Sequence, residues 1–372
     1  MKMSRMKNKA GLYLGLGILM FCMLCIPASA NYSYEGYPLE TVDNGTGIVL
    51  GEVYVSCGDN AGLQGTSYQS NTFVTNFSDV PTDGIVWAEL KVGVWGGKAT
   101  REGFANATLS KLDDSSPQAL GTVNLNTANP SSNVDCCGNG VYLIKYDCKD
   151  ELLSLSNSDI KATINAWPND SLASTYWLDS RIYGAVLIVV YENGNCYTQY
   201  WINQGNLNLH KNVTSGGTYY PDLDANITWF NGTVNNSVGG NATLTVGYFA
   251  GDDDQNDYLY FNPPKVAASP YNLSNFNWPI VSYTDYQLDC NNVANETCDE
   301  LNFATKNFDL HTFDIDLENI ELDPSSNYAV FWRGHGNGTA GETEINDPSW
   351  PGVNPNTESY LSPFLAVLQI KE

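Results

Sequence analysis

The chain has 372 residues, of which 42% are hydrophobic and 12% aromatic, and its formal net charge is −24. The apolar content excludes a disordered acidic chain, and the negative charge excludes nucleic acid and anionic lipid as partners because like charges repel. A chain this long exceeds what one core usually holds, so we expect two domains.

The first thirty residues have the pattern of a secretory signal peptide. Four basic residues precede an apolar segment from Gly11 to Ile26, and Ala28-Ser29-Ala30 follows as a small-residue cleavage site. An uncleaved membrane anchor is the alternative, and the shortness of the apolar segment favours cleavage before Asn31. Cleavage would change the formal charge from −24 to −28. We therefore expect a secreted or cell-surface protein that is not an integral membrane protein.

Beyond residue 30, short runs of β-branched and aromatic residues are separated by Gly, Asn, Asp and Pro, which is typical of β-sandwiches. In chain order, strands are predicted over 52–56, 73–80, 85–95, 141–147, 160–166 and 182–191, with weaker ones near Thr108 and Val123. Residues 148–155 can form one or two helical turns.

The run from Ile182 to Tyr191 predicts a central strand that is buried on both faces. Asn193-Gly194 follows it, and this dipeptide supplies the positive φ angles of a tight hairpin turn. The aromatic segment from Cys196 to Ile202 is then the expected returning strand.

Residues 208–224 show little periodicity and are rich in turn residues, so they predict a linker. After them the pattern restarts, since Ala242–Gly251 matches Ala88–Gly97 position for position. We predict an all-β fold with a signal peptide (1–30) and two tandem antiparallel, jelly-roll-like β-sandwich domains (31–207 and 225–372), related by a degenerate duplication. Chance similarity between strand-rich segments is the alternative.

Five distinctive phrases are spread over most of the chain beyond the leader: YEGYPL at 34–39, VYVSCGDNAG at 53–62, LKVGVWGG at 90–97, RIYGAVLIVVY at 181–191 and YWIN at 200–203. Together they resemble a domain of unknown function in secreted surface proteins of methanogenic archaea. The resemblance implies an extracellular or cell-envelope location, and it carries no activity and no catalytic residues.

Seven cysteines lie beyond the leader, and in an exported chain they indicate disulfides more than metal ligands. Cys290 with Cys298 is the first expected pair, and Cys136 or Cys137 with Cys148 is the second. Adjacent cysteines seldom pair, because disulfide geometry favours a longer Cα separation than a trans peptide sets. The odd number leaves a thiol that is either buried or bonded to another chain.

Calcium is the one cofactor that the sequence indicates. Asp252, Asp254 and Asn256 have the alternate spacing of a calcium loop, with Asp257 in place of the usual glycine and Pro263 at the twelfth position, so the segment is not an EF-hand. A looser calcium loop and a solvated turn both fit. Asp59-Asn60 is a second, weaker oxygen cluster.

Glycosylation and sugar binding are the remaining surface predictions. Asn-x-Ser/Thr sequons are expected to carry glycans at Asn44, Asn76, Asn106, Asn212, Asn226, Asn231, Asn241, Asn272 and Asn337. Trp278 and Trp350 each precede a proline, which favours exposed loops where their rings could stack on sugars.

The sequence contains no recognisable catalytic motif. Its three histidines do not form a zinc pattern, and no Gly-x-Ser-x-Gly sequence or phosphate loop is present. We expect a non-catalytic cell-surface or extracellular protein with a structural or adhesive role. The alternatives are a carbohydrate-binding protein and a secreted hydrolase. Expected partners are envelope components, glycans or further copies of the chain.

Overall fold

The computed structural model describes residues 34–98, 100–210, 213–215, 218–220, 223, 225–235, 240–249, 258–263, 308–318, 320–332 and 360–372. Within these ranges almost all regular structure is β, which confirms the predicted class. The strands before residue 208 are β1 (Gly36–Ser56), β2 (Asn71–Phe77), β3 (Ile85–Trp95), β4 (Gly103–Lys111), β5 (Gln118–Leu125), β6 (Val134–Cys136), β7 (Val141–Asp147), β8 (Ile160–Pro168) and β9 (Ile182–Leu207). The later strands are β10 (Leu209–His210), β11 (Val213–Ser215), β12 (Thr218–Tyr220), β13 (Ala225–Asn231), β14 (Asn241–Phe249), β15 (Tyr258–Phe261), β16 (Phe308–Ile315), β17 (Ser326–Trp332) and β18 (Tyr360–Lys371). One short helix, α1 (Lys149–Leu155), occupies the segment where helical turns were expected.

Four antiparallel sheets contain these strands. The largest has nine strands in the order β16-β14-β18-β9-β3-β7-β6, with β1 paired to β9 and β10 paired to β18. A four-stranded sheet has the order β2-β8-β4-β5, and a three-stranded sheet has the order β13-β17-β15. The pair β11-β12 lies inside the predicted linker, which is therefore partly a hairpin.

Three buried clusters hold the sheets together. In the first core, the four-stranded sheet packs on β3, β7 and the first part of β9. In the second core, the three-stranded sheet packs on β14, β18 and the last part of β9. The third cluster, called the seam below, joins the two halves. Its buried members include Leu143, Tyr183, Val186, Ile188, Phe249, Phe308, Phe364 and Leu365.

Strand β9 does not turn back at Asn193-Gly194, so the predicted hairpin is wrong. β1 pairs with β9 on both sides of this point: Leu50 faces Tyr197, and the next residue, Gly51, faces Glu192. Residues 193–196 are therefore looped out of the ladder, with φ 76° at Gly194. The N–H of Asn195 donates to the side-chain oxygen of Asn193 at 3.0 Å, and the chain then resumes the same direction because β1 continues as its partner.

The two halves share strands rather than meeting at a simple boundary. Leu39 of β1, with Trp201 and Leu207 of β9, belongs to the second core, although all three precede residue 208. The division at 31–207, 208–224 and 225–372 stays a prediction. In the described chain, β1 and β9 extend through both halves.

The strand order of the first half is repeated in the second. β14 lies between β16 and β18 as β3 lies between β7 and β9, and β17 lies between β13 and β15 as β8 lies between β2 and β4. Even an irregularity recurs, since the register shifts directly after Gly93 in β3 and directly after Gly247 in β14. These correspondences support the predicted duplication.

Candidate functional site

A cluster of polar side chains lies where the two halves meet. Lys91 of β3 donates hydrogen bonds to Glu89 and to Gln204, which comes from the far part of β9. The Lys91 side chain is fully buried, and that of Glu89 is 14% exposed. Burial lowers the pKa of Lys91, and the carboxylate of Glu89 opposes this effect. Each charge therefore has a partner, and the lysine is closed to solvent.

A second cluster, the arginine–tyrosine site, consists of Tyr68, Arg101, Asp179 and Arg181. Arg101 Nη1 donates to the hydroxyl of Tyr68, and the guanidinium carbon lies 4.3 Å from the centroid of the Tyr68 ring. Arg181 donates from Nε and Nη2 to the two carboxylate oxygens of Asp179, at 2.6 and 3.2 Å. One guanidinium group therefore lies on the ring of Tyr68, and the other is held by Asp179.

The backbone fixes this cluster in place. The N–H of Tyr68 donates to the carbonyl of Asp179 at 2.8 Å, and the Asn71 amide donates to the carbonyl of Ser180 at 3.0 Å. Gly97, just past the end of β3, has φ 84°, and a Cβ there would lie 2.6 Å from Arg101 Nη1. The positive φ favours glycine at this turn, and a side chain here would displace the end of the Arg101 side chain.

The charges of the site are unevenly exposed. The Asp179 side chain is 3% exposed, whereas that of Arg181 is 31% exposed. The hydrogen bonds from Arg181 to Asp179 are the largest cause of the raised pKa of Arg181, which burial partly offsets. The carboxylate of Asp179 is therefore buried, whereas the guanidinium group of Arg181 is partly exposed to solvent.

Two exposed tyrosines belong to segments that are bonded to this part of the chain. Tyr68 is 39% exposed and Tyr176 is 49% exposed. The carbonyl of Tyr176 accepts a hydrogen bond of 2.8 Å from the N–H of Glu102, which places its loop beside Arg101. Farther along β4, the rings of Phe104 and Trp167 stack with centroids 5.8 Å apart. The cluster can offer guanidinium donors together with flat aromatic surfaces.

Sequence reasoning did not single out the four residues of the arginine–tyrosine site. They come from three separate stretches of the chain, and no short motif contains them. The one sequence signal is compositional: arginines are scarce in a chain with 41 acidic and 17 basic residues.

Residues 32–371 match the family model described as "Protein of unknown function (DUF3344)". The chain belongs to the DUF3344 family. This confirms the predicted resemblance to a domain of unknown function, while the methanogen source stays a prediction. No curated protein matches the chain.

Three solved structures that match this DUF3344 chain share little sequence with it. PNGase F, a glycosylasparaginase from Flavobacterium meningosepticum, has 12% identity and a TM-score of 0.25, with 88% of this chain and 96% of that chain covered. A peptide-N(4)-(N-acetyl-β-D-glucosaminyl) asparagine amidase has 10% identity and a TM-score of 0.25, with 86% and 96% covered. A protein of Parabacteroides distasonis, named only as a candidate secreted protein, has 10% identity and a TM-score of 0.23, with 91% and 97% covered.

Among the described cysteines of the DUF3344 chain, the second predicted pair does not form. Cys136 is bonded to its neighbour Cys137, so neither pairs with Cys148, which is a buried free thiol. The peptide bond between the two is cis and their Cα atoms are 3.2 Å apart, so the trans geometry assumed in the prediction does not apply. Cys57 and Cys196 are also free. Cys290 and Cys298 lie outside the described residues.

Other predicted sites also fall outside the described chain, namely Asp252, Asp254, Asn256, Asp257, Trp278, Trp350, Asn212, Asn272 and Asn337. Among the residues that are described, no group of three or more His, Cys, Asp or Glu side chains could hold a metal ion. Asp59 instead accepts hydrogen bonds from the backbone and the amide of Asn76, at 2.7 and 2.8 Å. These bonds outweigh the effect of burial and lower the pKa of Asp59.

The described sequon asparagines differ in accessibility. Asn44, Asn231 and Asn241 are exposed, whereas Asn76, Asn106 and Asn226 are partly buried. The amide of Asn76 donates to Asp59, and the side-chain oxygen of Asn106 accepts from Asn165 at 2.9 Å. Asn44 lies at a bulge of β1 with φ 61°, where its side chain faces solvent. Glycosylation at each site stays a prediction. At the three exposed asparagines, a glycan could be attached with the least rearrangement of the surrounding side chains.

Proposed function

We propose that this protein is a non-catalytic extracellular protein with a structural or adhesive role at the cell surface. The observation that carries the proposal is the filled seam. Phe249 stacks on Phe364 with ring centroids 4.0 Å apart, and Phe308 lies 5.8 Å from Phe249. Tyr183 of the first half completes this packing at 5.4 Å from Phe249.

Interfaces between lobes are a common position for ligand and catalytic sites. Here the corresponding volume between the halves is occupied by aromatic rings within the described chain. The nearby charges of Lys91 and Glu89 pair with each other, and Lys91 is buried. A catalytic acid or base needs access to a substrate atom within hydrogen-bond distance. These features favour a load-bearing or binding role over a catalytic site located between the two halves.

The shared strands favour the same role. β1 and β9 are paired along both halves, from Gly36 with Leu207 to Ser56 with Leu187. Bending one half against the other would break backbone hydrogen bonds in this ladder and separate the rings of the seam. Such a module keeps its length and shape, which suits a protein that connects the envelope to other molecules.

Features of the sequence support the location and the partners that we propose. The leader segment supports export, and no helix in the described ranges is long and apolar enough to cross a membrane. The resemblance to surface proteins of methanogenic archaea supports an archaeal envelope as the site of action. Envelope components, glycans and further copies of the chain are the partners that we propose.

Labelling intact producing cells with an antibody to this protein tests the proposed location and role. The label should stay on washed cells, and envelope fractions should contain most of the protein. In parallel, the purified secreted chain is incubated with glycopeptides, polysaccharides and peptides, and no product should form. Turnover that is lost in Glu89→Gln but kept in Asp150→Asn, on the exposed side of α1, would overturn the non-catalytic assignment.

A further inference from the structure

We propose that the arginine–tyrosine site binds an acidic carbohydrate, a pyranose that carries a carboxylate as uronic acids do. This inference goes beyond the structural role, which would stand without it. The site combines the two chemistries that such a sugar presents, namely an anion and an apolar ring face.

The anion would bind to guanidinium donors that the protein leaves unused. A guanidinium group carries five N–H donors, and two of them can bind both oxygens of one carboxylate. Arg181 uses Nε and Nη2 for Asp179, which leaves Nη1 with no protein acceptor among the described residues. Arg101 uses Nη1 for the Tyr68 hydroxyl. The remaining amino group of each arginine can therefore bind a carboxylate from the ligand.

The local charge is opposite to that of the whole chain. The site holds two guanidinium groups, those of Arg101 and Arg181, and the carboxylate that pairs with Arg181 belongs to Asp179, whose side chain is 3% exposed. The full sequence has a formal charge of −24, so most of its surface repels anions. An anionic ligand is attracted where this sign is locally reversed.

The ring face of the sugar would pack on tyrosine. Tyr68 and Tyr176 are both more than a third exposed, and each combines an apolar ring with a polar hydroxyl. An acidic peptide would satisfy the arginines but would leave the two rings without a matching apolar surface. A single uronic acid ring presents both groups within one residue, and this difference favours a carbohydrate.

Contacts within the protein fix the side chains of the site in position before a ligand binds. Tyr68 has φ 64°, a conformation that is rare for bulky residues and is found preferentially at functional positions. Its N–H is bonded to the carbonyl of Asp179, and the carboxylate of Asp179 also holds Arg181. Arg101 Nε is buried and has no hydrogen-bond partner among the described residues, a cost that a purely structural arginine would avoid.

The experiment measures binding of trigalacturonic acid to the secreted full chain by titration calorimetry at low salt, with a neutral galactose trisaccharide as the matched ligand. The acidic trisaccharide should bind, and the neutral one should bind at least tenfold more weakly. Raising the sodium chloride concentration to about 0.3 M should weaken acidic binding severalfold, because exposed charges are screened.

Two variants test the named residues. Arg101→Gln removes one cation, and Tyr68→Asn removes the ring while asparagine tolerates the positive φ. Each should weaken binding at least fivefold. Lys111→Gln is the control, since it removes one positive charge at the other end of β4, roughly 26 Å from Gly103 at ~3.3 Å per residue. Circular dichroism and thermal unfolding should show that all three variants are folded.

Several results would overturn the proposal. They are the absence of binding, equal affinity for the neutral trisaccharide, binding of a triglutamate peptide as tight as that of the acidic sugar, and a loss in Lys111→Gln equal to that in Arg101→Gln. The last result would indicate general electrostatic attraction rather than a site. None of these results would affect the assignment of a structural role, which the cell-labelling experiment tests separately.

Discussion

The ring of Phe249 in the second half lies directly on Gly93 in the first half, and a Cβ atom at residue 93 would come within 2.5 Å of the ring's Cζ. The same ring stacks on Phe364 at 4.0 Å on the other side. Gly247, which corresponds to Gly93 in the repeated pattern, lies under Phe364, where a Cβ would be 2.7 Å from Cζ. The seam thus depends on two glycines in strands that allow two rings to approach the backbone.

Gly93→Ala should therefore destabilise the protein, although alanine is normally the better residue within a strand. The ring of Phe249 is rigid and enclosed, so the added methyl group should cost about 2 kcal/mol of the free energy of unfolding. Chemical denaturation measures this loss. In the background Phe249→Leu, which removes the ring that meets residue 93, the same substitution should cost clearly less. An equal cost in both backgrounds would show that the ring contact is not the cause.

Local pattern was enough to predict most of the strands before residue 208, because period-two alternation and β-branched content are properties of short segments. It could not predict the course of β9. Asn193-Gly194 has the same signature in a hairpin and in a looped-out bulge, and only the distant partner β1 decides which one forms. The shared strands and the seam follow from that long-range pairing.

The arginine–tyrosine site shows the same limit for function. Tyr68 lies between β1 and β2, Arg101 between β3 and β4, and Asp179 and Arg181 before β9. Their proximity results from sheet order, which no sequence spacing records. Of the expected disulfides, only the pairing of Cys136 or Cys137 with Cys148 falls within the described residues, where Cys136 is bonded to Cys137 instead.

The buried pair Lys91 and Glu89 should behave as one unit. Lys91→Met keeps the apolar stem but leaves the carboxylate of Glu89 and the side-chain oxygen of Gln204 without their donor. We expect a loss of about 3 kcal/mol in the free energy of unfolding, since a charge remains without its partner.

A double-mutant cycle provides the check on this pair. Adding Glu89→Gln to Lys91→Met should recover part of the loss, with a coupling energy of about 1 kcal/mol or more. Strict additivity of the two single changes would contradict the view that the two charges stabilise the fold as a pair.

The free thiols should differ strongly in reactivity. Cys57 is 6% exposed, and burial raises its pKa to about 11. Cys148 is fully buried, and burial raises its pKa well above the ordinary value. Cys196 lies in the looped-out residues of β9 and is partly exposed. Because the thiolate is the reactive form, iodoacetamide at pH 8 should modify Cys196 first among these three.

Peptide mapping by mass spectrometry identifies the modified residue in each sample. Cys196→Ser should remove the fast modification, while Cys57→Ser should leave it unchanged. Rapid labelling of Cys148 in the folded protein would show that the first core is more open than its packing implies.

Cys57 should also make stability depend on alkaline pH. Its pKa is higher in the folded state than in the unfolded chain, so the folded state binds more protons between about pH 9 and pH 11. The associated stability is complete below the unfolded pKa and is lost as the pH rises through the folded pKa. Between pH 8 and pH 10.5 this residue should reduce the free energy of unfolding by about 2 kcal/mol.

Comparison with Cys57→Ala isolates this contribution, because tyrosines and lysines titrate in both proteins. Alanine loses some packing at every pH, so the variant should be less stable at pH 8. The stability difference between the two proteins should then shrink as the pH rises, by about the same 2 kcal/mol. A difference that stays constant from pH 8 to pH 10.5 would mean that the thiol of Cys57 ionises as easily in the folded protein as in the unfolded chain.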